Sequence, residues 1–398
     1  ETAEKRLSLY YTSKLDANYL DHNIMNKLIF QPFFGGHALE YIQHLYNSCA
    51  NDHNSVYYFA LPQEFLKYGF IDNKNIKLIK IDENKIKKIN SYNKIKKSHL
   101  INRYLRSIIQ QYNIKEVFLI TYDYFYPLLP FYTLRDVKYY GIFYFIYLYK
   151  WKDLSLKHKL YNKTLTYFMA KNNSIEKIFI CNDSSASAYL NKIFKTYKFQ
   201  KLVDPYVPIK HSIIDIKKEY NITNKYILLH LGALSKRKGT IEILDSIPFI
   251  TNINEYCFIF AGKIDNDIKE IFYQKVNLYN AQARIIVKDE FCPFDFIAGL
   301  CQVSDLILMP YTETSQSSGM FGYASQFNIP ILAPRKGLLK KIIQKYHLGF
   351  FLESTTAQSI GTAINNIFKT ERPTISSQYI KENDVKTFTN VFFHLKSK

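Results

Sequence analysis

Short apolar runs alternate with longer stretches in which apolar residues recur every three or four positions. In the first half of the chain the apolar runs occupy six segments: 27–30, 56–61, 76–81, 117–121, 137–148 and 178–181. A second series follows at 226–231, 257–261, 284–287, 306–309 and 330–333. Buried strands separated by helices predict parallel sheets covered by helices, the doubly wound α/β class.

This alternation of strand and helix patterns is interrupted at 201–208 (KLVDPYVP), which holds two prolines and few helix formers. We interpret the stretch as a linker between an N-terminal domain, 1–205, and a C-terminal domain, 206–375. The remaining segment, 376–398, is expected to be helical and to pack back toward the N-terminal domain. No exact repeat of 20 to 50 residues is visible, which argues against solenoids and propellers.

The longest apolar stretch, 139–149 (YYGIFYFIYLY), is bounded by lysines. It is too short to span a bilayer, which needs about 20 apolar residues in a helix. A run of this length that is rich in aromatic residues is typical of a strand buried on both faces.

The composition adds a strong positive charge to this picture. The chain has 398 residues, a formal net charge of +19, 34 Tyr, 30 Phe and a single Trp. The excess of Lys, Tyr and Phe has two explanations of equal weight, a functional one and the codon usage of an AT-rich genome. The charge still favours anionic partners, namely nucleic acid, an anionic membrane surface or phosphorylated substrates.

The five cysteines are an odd number and form no CxxC pair. Neither a disulfide framework nor a zinc site has the spacing it needs, so we predict reduced, mostly buried thiols and a cytosolic location.

The first candidate site follows an apolar strand in segment 228–239 (LLHLGALSKRKG). Its loop carries three cations between two glycines: Gly232, Lys236, Arg237, Lys238 and Gly239. Because ligands bind at the carboxyl ends of strands in open α/β sheets, the loop predicts a phosphate site. A solvated loop with its basic residues in water is the alternative. Neither GxxxxGK[ST] nor a GxGxxG after a strand occurs, which disfavours kinases and dehydrogenases.

The second candidate site lies in segment 306–333, where a strand ends at Pro310 and Ser317, Ser318 and Gly319 open a helical run. Small residues at a helix start let backbone amides approach an anion closely. The alternative is that Ser317 or Ser318 only caps the helix.

Together, these two segments resemble the donor-binding half of a GT-B glycosyltransferase, in particular the retaining enzymes of glycosyltransferase family 4. The resemblance covers residues 225–352. The matching positions are Gly232, Lys238 and Gly239, then Gly262 in 258–263 (FIFAGK), then the course of 291–310. It implies two Rossmann-like doubly wound domains facing across a cleft, with Lys238 neutralising the diphosphate of a sugar nucleotide.

Two departures from the family pattern affect the expected site. Ala233 stands where an arginine commonly follows the first glycine, so Lys236 or Arg237 must replace its phosphate contact. The paired glutamates of the family fall on Ser315 and Tyr323. Sugar recognition is therefore expected from other groups, for which the candidates are Glu313, Ser317, Ser318 and the Tyr323 hydroxyl.

The N-terminal half offers a less specific match. Gly35 and Gly36 follow a strand and precede an amphipathic pattern, where the first loop of the family brings amides to the donor phosphate. A glycine-rich turn with packing duties only is the alternative. Residues 140–150 hold no histidine, so no catalytic base is named. In retaining enzymes of this type the leaving diphosphate is thought to help deprotonate the acceptor.

A basic amphipathic segment occupies residues 84–111, which contain no acidic residue. Six of its lysines form the expected membrane or acceptor surface: Lys85, Lys87, Lys88, Lys94, Lys96 and Lys97. Docking on an anionic inner leaflet would gain about 1 kcal/mol for each Lys or Arg that reaches it. A solvated face is equally compatible with the pattern. Nucleic acid is disfavoured because no RRM, KH or zinc-knuckle pattern occurs.

The sequence thus predicts a metal-independent, hexosyltransferase-like enzyme that needs no cofactor and uses a UDP- or GDP-sugar. Its expected acceptor is a glycan or polyprenyl-diphosphate-linked oligosaccharide in bacterial surface-polysaccharide assembly, with retention. Lys238 and Arg237 are the expected catalytic residues. We predict a cytoplasmic location, with peripheral attachment to the inner face of the cytoplasmic membrane left open. The alternatives are an inverting GT-B enzyme and a non-catalytic homologue that binds a glycan or partner.

Overall fold

The computed structural model describes residues 25–34, 38–50, 52, 54–144, 147–371 and 373–393. The chain forms two compact units, Glu1–Leu202 with Thr389–Lys398, and Val203–Phe388. Each unit contains one parallel sheet.

The sheet of the first unit has seven strands in the order β3-β2-β1-β4-β5-β6-β7. They are β1 Met25–Phe30, β2 Ser55–Leu61, β3 Ile76–Lys80, β4 Glu116–Leu119, β5 Lys138–Ile142, β6 Ile175–Cys181 and β7 Phe199–Leu202. Its helices are α1 Ala38–Cys49, α2 Gln63–Leu66, α3 Glu83–Asn90, α4 Lys94–Gln111, α5 Leu156–Lys171 and α6 Ser184–Phe194. The order reverses between β1 and β4, where Thr121 donates a hydrogen bond to Gln31 at 3.1 Å.

The sheet of the second unit has six strands in the order β10-β9-β8-β11-β12-β13. They are β8 Tyr226–Leu231, β9 Tyr256–Ala261, β10 Arg284–Lys288, β11 Leu306–Leu308, β12 Ile331–Pro334 and β13 Gly349–Leu352. The helices that follow in chain order are α7 Ile216–Glu219, α8 Thr240–Asp245, α9 Asn266–Tyr279, α10 Phe294–Val303, α11 Met320–Phe327, α12 Gly337–Tyr346, α13 Ala357–Ile367, α14 Gln378–Glu382 and α15 Val385–Phe392.

The central strands are apolar on both faces, as expected when helices cover a parallel sheet on both sides. All six residues of β9 are buried. Leu28, Ile29 and Phe30 at the end of β1 have no exposed surface. The five cysteines are all buried and none of them forms a disulfide, in agreement with the sequence analysis.

The sequence analysis extended one strand too far and missed two edge strands. The predicted run 137–148 ends as a strand at Ile142, and a 3-10 helix follows at Tyr147–Asp153. The amide of Tyr144 donates to Asp123 Oδ2 at 2.9 Å, so it no longer extends the sheet. The edge strands β7 and β13 were missed because each has only four residues, and β7 takes the first two residues of the predicted linker.

The C-terminal helix α15 ends in the first unit, to which residues from Thr389 onward belong. The Phe392 ring lies 5.4 Å from that of Phe118, and the Phe393 ring lies 5.5 Å from that of Tyr57. These contacts cover the sheet of the first unit with the end of the chain. Within the described ranges, no helix is both long and apolar enough to cross a bilayer.

Candidate functional site

The predicted donor-site loops of the second unit all follow strands that meet at one edge of its sheet. The strand order reverses between β8 and β11, which pair in parallel with Leu229 opposite Ile307. The carboxyl ends of strands at such a reversal are where open α/β sheets bind ligands. Gly232 and the three cations follow β8, Gly262 follows β9, and the Ser-rich loop follows β11.

Two glycines allow the ends of β8 and β9 to touch. Gly232 has a φ of 98° and Gly262 a φ of 134°, both disfavoured for residues with a side chain. The Gly232 amide donates to the Ala261 carbonyl at 2.9 Å. A Cβ on Gly262 would lie 2.0 Å from the Gly232 carbonyl oxygen, so no larger residue fits there.

Lys238 places its ammonium directly above Gly232. A Cβ on Gly232 would lie 2.7 Å from Lys238 Nζ. The ammonium lies 3.5 Å from the Leu231 carbonyl oxygen and 5.5 Å from the centre of the Tyr311 ring. Its neighbours are therefore a strand end and an aromatic face, both of which are uncharged.

The other two cations of the turn are exposed. The backbone carbonyl of Arg237 accepts hydrogen bonds from the amide of Thr312, at 3.0 Å, and from its hydroxyl, at 3.1 Å. These bonds tie the turn after β8 to the loop after β11. Across the part of the chain that the structure describes, no carboxylate lies within 4.0 Å of the cationic groups of Lys236, Arg237 or Lys238. An anion would therefore meet three charges that the described residues leave unneutralised.

Tyr311 is a site residue that the sequence did not reveal. It is buried, and its hydroxyl has no hydrogen-bond partner among the described residues. The Arg237 guanidinium lies 6.0 Å from its ring, on which Lys238 also rests. An unpartnered buried hydroxyl is costly, and a ligand oxygen would satisfy it. The sequence shows that Tyr311 directly follows Pro310 at the end of a strand. A tyrosine in that position is as easily a core residue, so the sequence did not identify it as part of the site.

His230 was also missed, because a histidine inside an apolar strand is usually interpreted as a core residue. Its Nδ1 lies 2.9 Å from the Leu308 carbonyl oxygen, which fixes the proton on Nδ1. Its Nε2 lies 3.0 Å from the hydroxyl oxygen of Thr240, whose single proton lies between this nitrogen and the Ser235 carbonyl oxygen at 3.1 Å. Complete burial and, to a smaller extent, the charge of Lys238 lower the pKa of His230 to about 3. A neutral His230 therefore joins β8, β11 and the start of α8, and it positions the cationic turn between them.

The loop after β11 carries the predicted sugar-contacting residues. Ser315 donates to Glu313 Oε1 at 2.6 Å, and both side chains are half-buried. The buried Ser318 hydroxyl accepts from the Met320 amide at 3.4 Å, and Gly319 accepts from the Gly322 amide at 3.1 Å. These bonds favour a structural role for Ser318 at the start of α11. The roles of Glu313, Ser317, Ser318 and Gly319 in donor binding stay predictions.

Tyr323 lies on α11 against the start of the second unit. Its ring centre is 5.6 Å from that of Tyr206, edge to face. Tyr206 in turn packs on Gly322, where a Cβ would lie 2.0 Å from its ring. Tyr323 is half-buried, and the sugar contact expected of its hydroxyl stays a prediction.

In the first unit, the predicted basic surface lies on α3 and α4. Four of its lysines hold their ammonium groups over aromatic rings: Lys85 over Tyr104 at 4.3 Å, Lys94 over Tyr126 at 4.9 Å, Lys96 over Tyr92 at 3.8 Å and Lys97 over Phe33 at 4.5 Å. Lys87 and Lys88 are exposed. The predicted donor contacts Gly35 and Gly36 lie outside the described residues.

The described residues contain no cluster of three His, Cys, Asp or Glu side chains that could hold a metal ion. Independence from metal stays a prediction.

No protein-family model and no curated protein sequence matches this chain. Solved structures do match it over nearly its whole length. Anabaena HepE in complex with UDP-glucose is similar with a TM-score of 0.67 and 12% identity, over 93% of this chain and 98% of that one.

Sucrose-phosphate synthase from Thermosynechococcus elongatus is similar with a TM-score of 0.63 and 12% identity, over 94% of both chains. WaaG, a glycosyltransferase involved in lipopolysaccharide biosynthesis, has a TM-score of 0.61 and 11% identity, over 94% of this chain and 96% of that one. At such low identity the likeness concerns the fold. Together with the two parallel sheets, it confirms the predicted GT-B fold of two Rossmann-like domains.

Proposed function

We propose that this chain is a glycosyltransferase that uses a nucleoside-diphosphate sugar. The observation that carries the proposal is the turn Lys236–Lys238, whose three cations lack carboxylate partners in the described structure. The turn lies at the strand reversal where this kind of sheet binds ligands. The solved HepE structures, which hold UDP, glucose or UDP-glucose, support the same choice of ligand.

In this proposal Lys238 acts on the leaving group. Negative charge grows on the diphosphate as the glycosidic bond breaks, and a preorganised ammonium stabilises that charge more than it stabilises the bound donor. Arg237 and Lys236 add charge from the exposed side of the turn. The Tyr311 hydroxyl would donate to a donor oxygen.

The finer assignments rest on the sequence resemblance. We propose retention of configuration, independence from metal and a hexose as the transferred sugar, as the resemblance to glycosyltransferase family 4 implies. We propose a glycan or lipid-linked oligosaccharide as acceptor, in assembly of a bacterial surface polysaccharide. The role of WaaG in lipopolysaccharide biosynthesis supports such a setting.

We also propose peripheral attachment to the inner face of the cytoplasmic membrane, through the exposed face of α5. Leu156 is 84% exposed and Leu160 is 69% exposed, one turn apart. Tyr161, Tyr167 and Phe168 are exposed further along this helix. Its exposed lysines, which include Lys157 and Lys163, complement an anionic leaflet.

A ligand screen tests the proposed function. Thermal unfolding is measured with UDP, GDP and their common sugars, because a donor present at about 100 times its Kd adds about 2.7 kcal/mol of stability. Donor hydrolysis followed by NMR of the anomeric proton then identifies the sugar and the stereochemistry. We expect a shift with one nucleotide family and release of a sugar with retained configuration.

Other results of this screen would indicate one of the alternative functions. Release with inverted configuration would indicate an inverting GT-B enzyme. No shift with any nucleotide would indicate a non-catalytic homologue. The same fold also occurs in a putative UDP-N-acetylglucosamine 2-epimerase from Listeria monocytogenes, so conversion of the donor without transfer would overturn the transferase assignment.

A further inference from the structure

The first unit contains a pocket of about 280 Å³ at the carboxyl end of β4. Lys94 and Lys97 from the first turn of α4 line one side. Asp123 and Tyr124, from the 3-10 turn after β4, line another, together with Tyr92 and Tyr126. This volume lies just below the range of drug-sized ligand pockets, about 300 to 1,000 Å³, and suits a ligand no larger than a single sugar residue.

A buried polar network holds the two walls together. The Ser98 hydroxyl donates to the Phe125 carbonyl at 2.6 Å and accepts from the Leu128 amide at 3.1 Å. The Asn102 amide group donates to the same Phe125 carbonyl at 2.9 Å. Ser98 and Asn102 are almost completely buried, so α4 and the 3-10 turn form a preorganised frame around the pocket.

The two lysines bring positive charge to the pocket, and the Asp123 carboxylate offsets part of the charge of Lys94. They lie three positions apart on α4, so both reach the same side of the helix. Lys94 rests on the Tyr126 ring, while Lys97 rests on Phe33 and donates to Asn90 Oδ1. Burial lowers the pKa of both ammonium groups, although Lys94 is exposed along much of its surface. No carboxylate of the described segments comes within 4.0 Å of either ammonium.

The remaining lining is suited to a sugar ring. Tyr92 and Tyr124 are half-buried and present aromatic surface with polar tips. The Asp123 carboxylate accepts a hydrogen bond from the Tyr144 amide and lines the pocket as a group that accepts from hydroxyls. With one carboxylate and two ammonium groups, the pocket keeps an excess of positive charge.

We propose that this pocket binds a sugar unit that carries an oxyanion, a carboxylate or a phosphate ester. Lys94 and Lys97 bind the oxyanion, and the tyrosine rings pack against the sugar. If the proposed function holds, the acceptor of the enzyme is an acidic glycan. The identity of the acceptor rests on the proposed function, whereas binding to the pocket does not.

Calorimetric titration of the full chain tests the proposal with four probes: methyl glucuronide, glucose 6-phosphate, methyl glucoside and inorganic phosphate. We expect at least one charged sugar to bind about 10-fold or more tightly than methyl glucoside, which corresponds to about 1.4 kcal/mol. The charged sugar that binds identifies the oxyanion. Equal binding of methyl glucoside, or no binding of either charged sugar, would overturn the proposal. Phosphate alone binding as tightly as glucose 6-phosphate would overturn the role of the sugar ring.

Three lysine variants place the binding in this pocket. Lys94→Met and Lys97→Met keep the aliphatic chain and remove the charge, and each should reduce the preference for the charged sugar about 10-fold. Lys74→Met, at an exposed lysine outside the pocket, is the matched control and should bind like the wild type. Lys94 makes no hydrogen bond through its ammonium in the described structure, so its variant should fold even if the Lys97 variant does not.

A second binding experiment separates this proposal from the proposed function. The charged sugar should bind equally well to Lys238→Ala and to the wild type saturated with UDP. Loss of its binding in either case would place it at the candidate donor site and overturn the inference. UDP binding to the wild type, measured in the same calorimeter, tests the donor site independently.

Discussion

The ammonium of Lys238 lies over the ring of Tyr311, 5.5 Å from its centre. A ring face attracts a cation without neutralising it, so the charge stays available to a ligand. The same ring carries the guanidinium of Arg237 at 6.0 Å. Tyr311 thus orients two of the three cations of the turn while leaving its own hydroxyl unpartnered in the described structure.

Replacing Lys238 with alanine should lower turnover with the cognate donor by about 100-fold or more. A contact that acts on transition-state charge is typically worth a few kcal/mol. Steady-state kinetics of transfer or donor hydrolysis measures the effect. The matched control is Lys225→Ala, because Lys225 precedes the amino end of β8 and pairs with Glu255 at 3.6 Å. Wild-type turnover in Lys238→Ala would remove Lys238 from the site.

The variant Tyr311→Phe should have opposite effects on stability and on donor binding. Removing a buried hydroxyl without a partner should stabilise the free protein by about 1 kcal/mol, whereas losing a hydrogen bond to the donor should weaken binding by about 5-fold. Denaturant unfolding and calorimetric titration with the donor measure the two effects. Unchanged donor affinity would show that the hydroxyl does not contact the donor.

Much of the fold could be predicted because the central strands are apolar at nearly every position. The six residues of β9 form a run of apolar residues, which in an α/β chain predicts a strand buried on both faces, and all six are buried in the structure. Edge strands such as β13 carry weaker signals because they are short and only partly buried. The end of β5 depends on the bond between Tyr144 and Asp123, which are 21 residues apart, and local periodicity cannot reveal it.

The candidate site was only partly predictable, because some of its residues depend on partners that are distant in the sequence. Gly232 and Lys238 stand out because their residue types are unusual after a strand. His230 and Tyr311 do not stand out, because their roles depend on partners brought close by the pairing of β8 with β11. The lysines of α3 and α4 fitted a membrane surface and a solvated face equally well in the sequence, because the aromatic rings that four of them contact become neighbours only in the folded chain.

Two glycine-to-alanine variants should separate backbone strain from steric conflict. Gly69, with a φ of 83°, has no atom within 4 Å of an added Cβ, so Gly69→Ala measures strain alone, about 1 to 3 kcal/mol. Gly262→Ala should cost clearly more stability, because its Cβ meets a backbone oxygen that cannot move away. Denaturant unfolding compares the two variants.

Gly232→Ala should be folded but impaired in donor binding. Its added Cβ meets only the flexible end of Lys238, which can move aside and thereby leave its position. We expect a loss of stability close to that of Gly69→Ala, together with weaker donor binding in calorimetric titration. Normal donor binding would show that the ammonium position above Gly232 is not required.

His230 should make stability fall as the solution is acidified. Its pKa is about 3 in the folded chain against an ordinary value of 6.5, so the unfolded state takes up the proton first. Stability is therefore lost as the pH falls below about 6.5, by at most about 1.4 kcal/mol per pH unit from this residue. His230→Asn keeps a donor for the Leu308 carbonyl and should show a shallower slope between pH 7 and 5. Parallel stability curves for the two proteins would refute the burial of a neutral His230.

The exposed face of α5 should carry the attachment to anionic membranes. Leu156→Ser combined with Leu160→Ser removes two large apolar side chains from that face, and we expect cosedimentation with phosphatidylglycerol vesicles to weaken at least 10-fold. Ile213→Ser is the matched control, since Ile213 is 98% exposed in the second unit.

A separate variant, with Lys85, Lys87 and Lys88 changed to glutamine, tests the basic surface predicted from the sequence. Because apolar insertion and charge attraction both contribute to binding, this variant should weaken cosedimentation less than the double serine variant does at physiological salt. If the glutamine variant fails to sediment while the double serine variant sediments normally, the membrane contact lies on α3 rather than on α5.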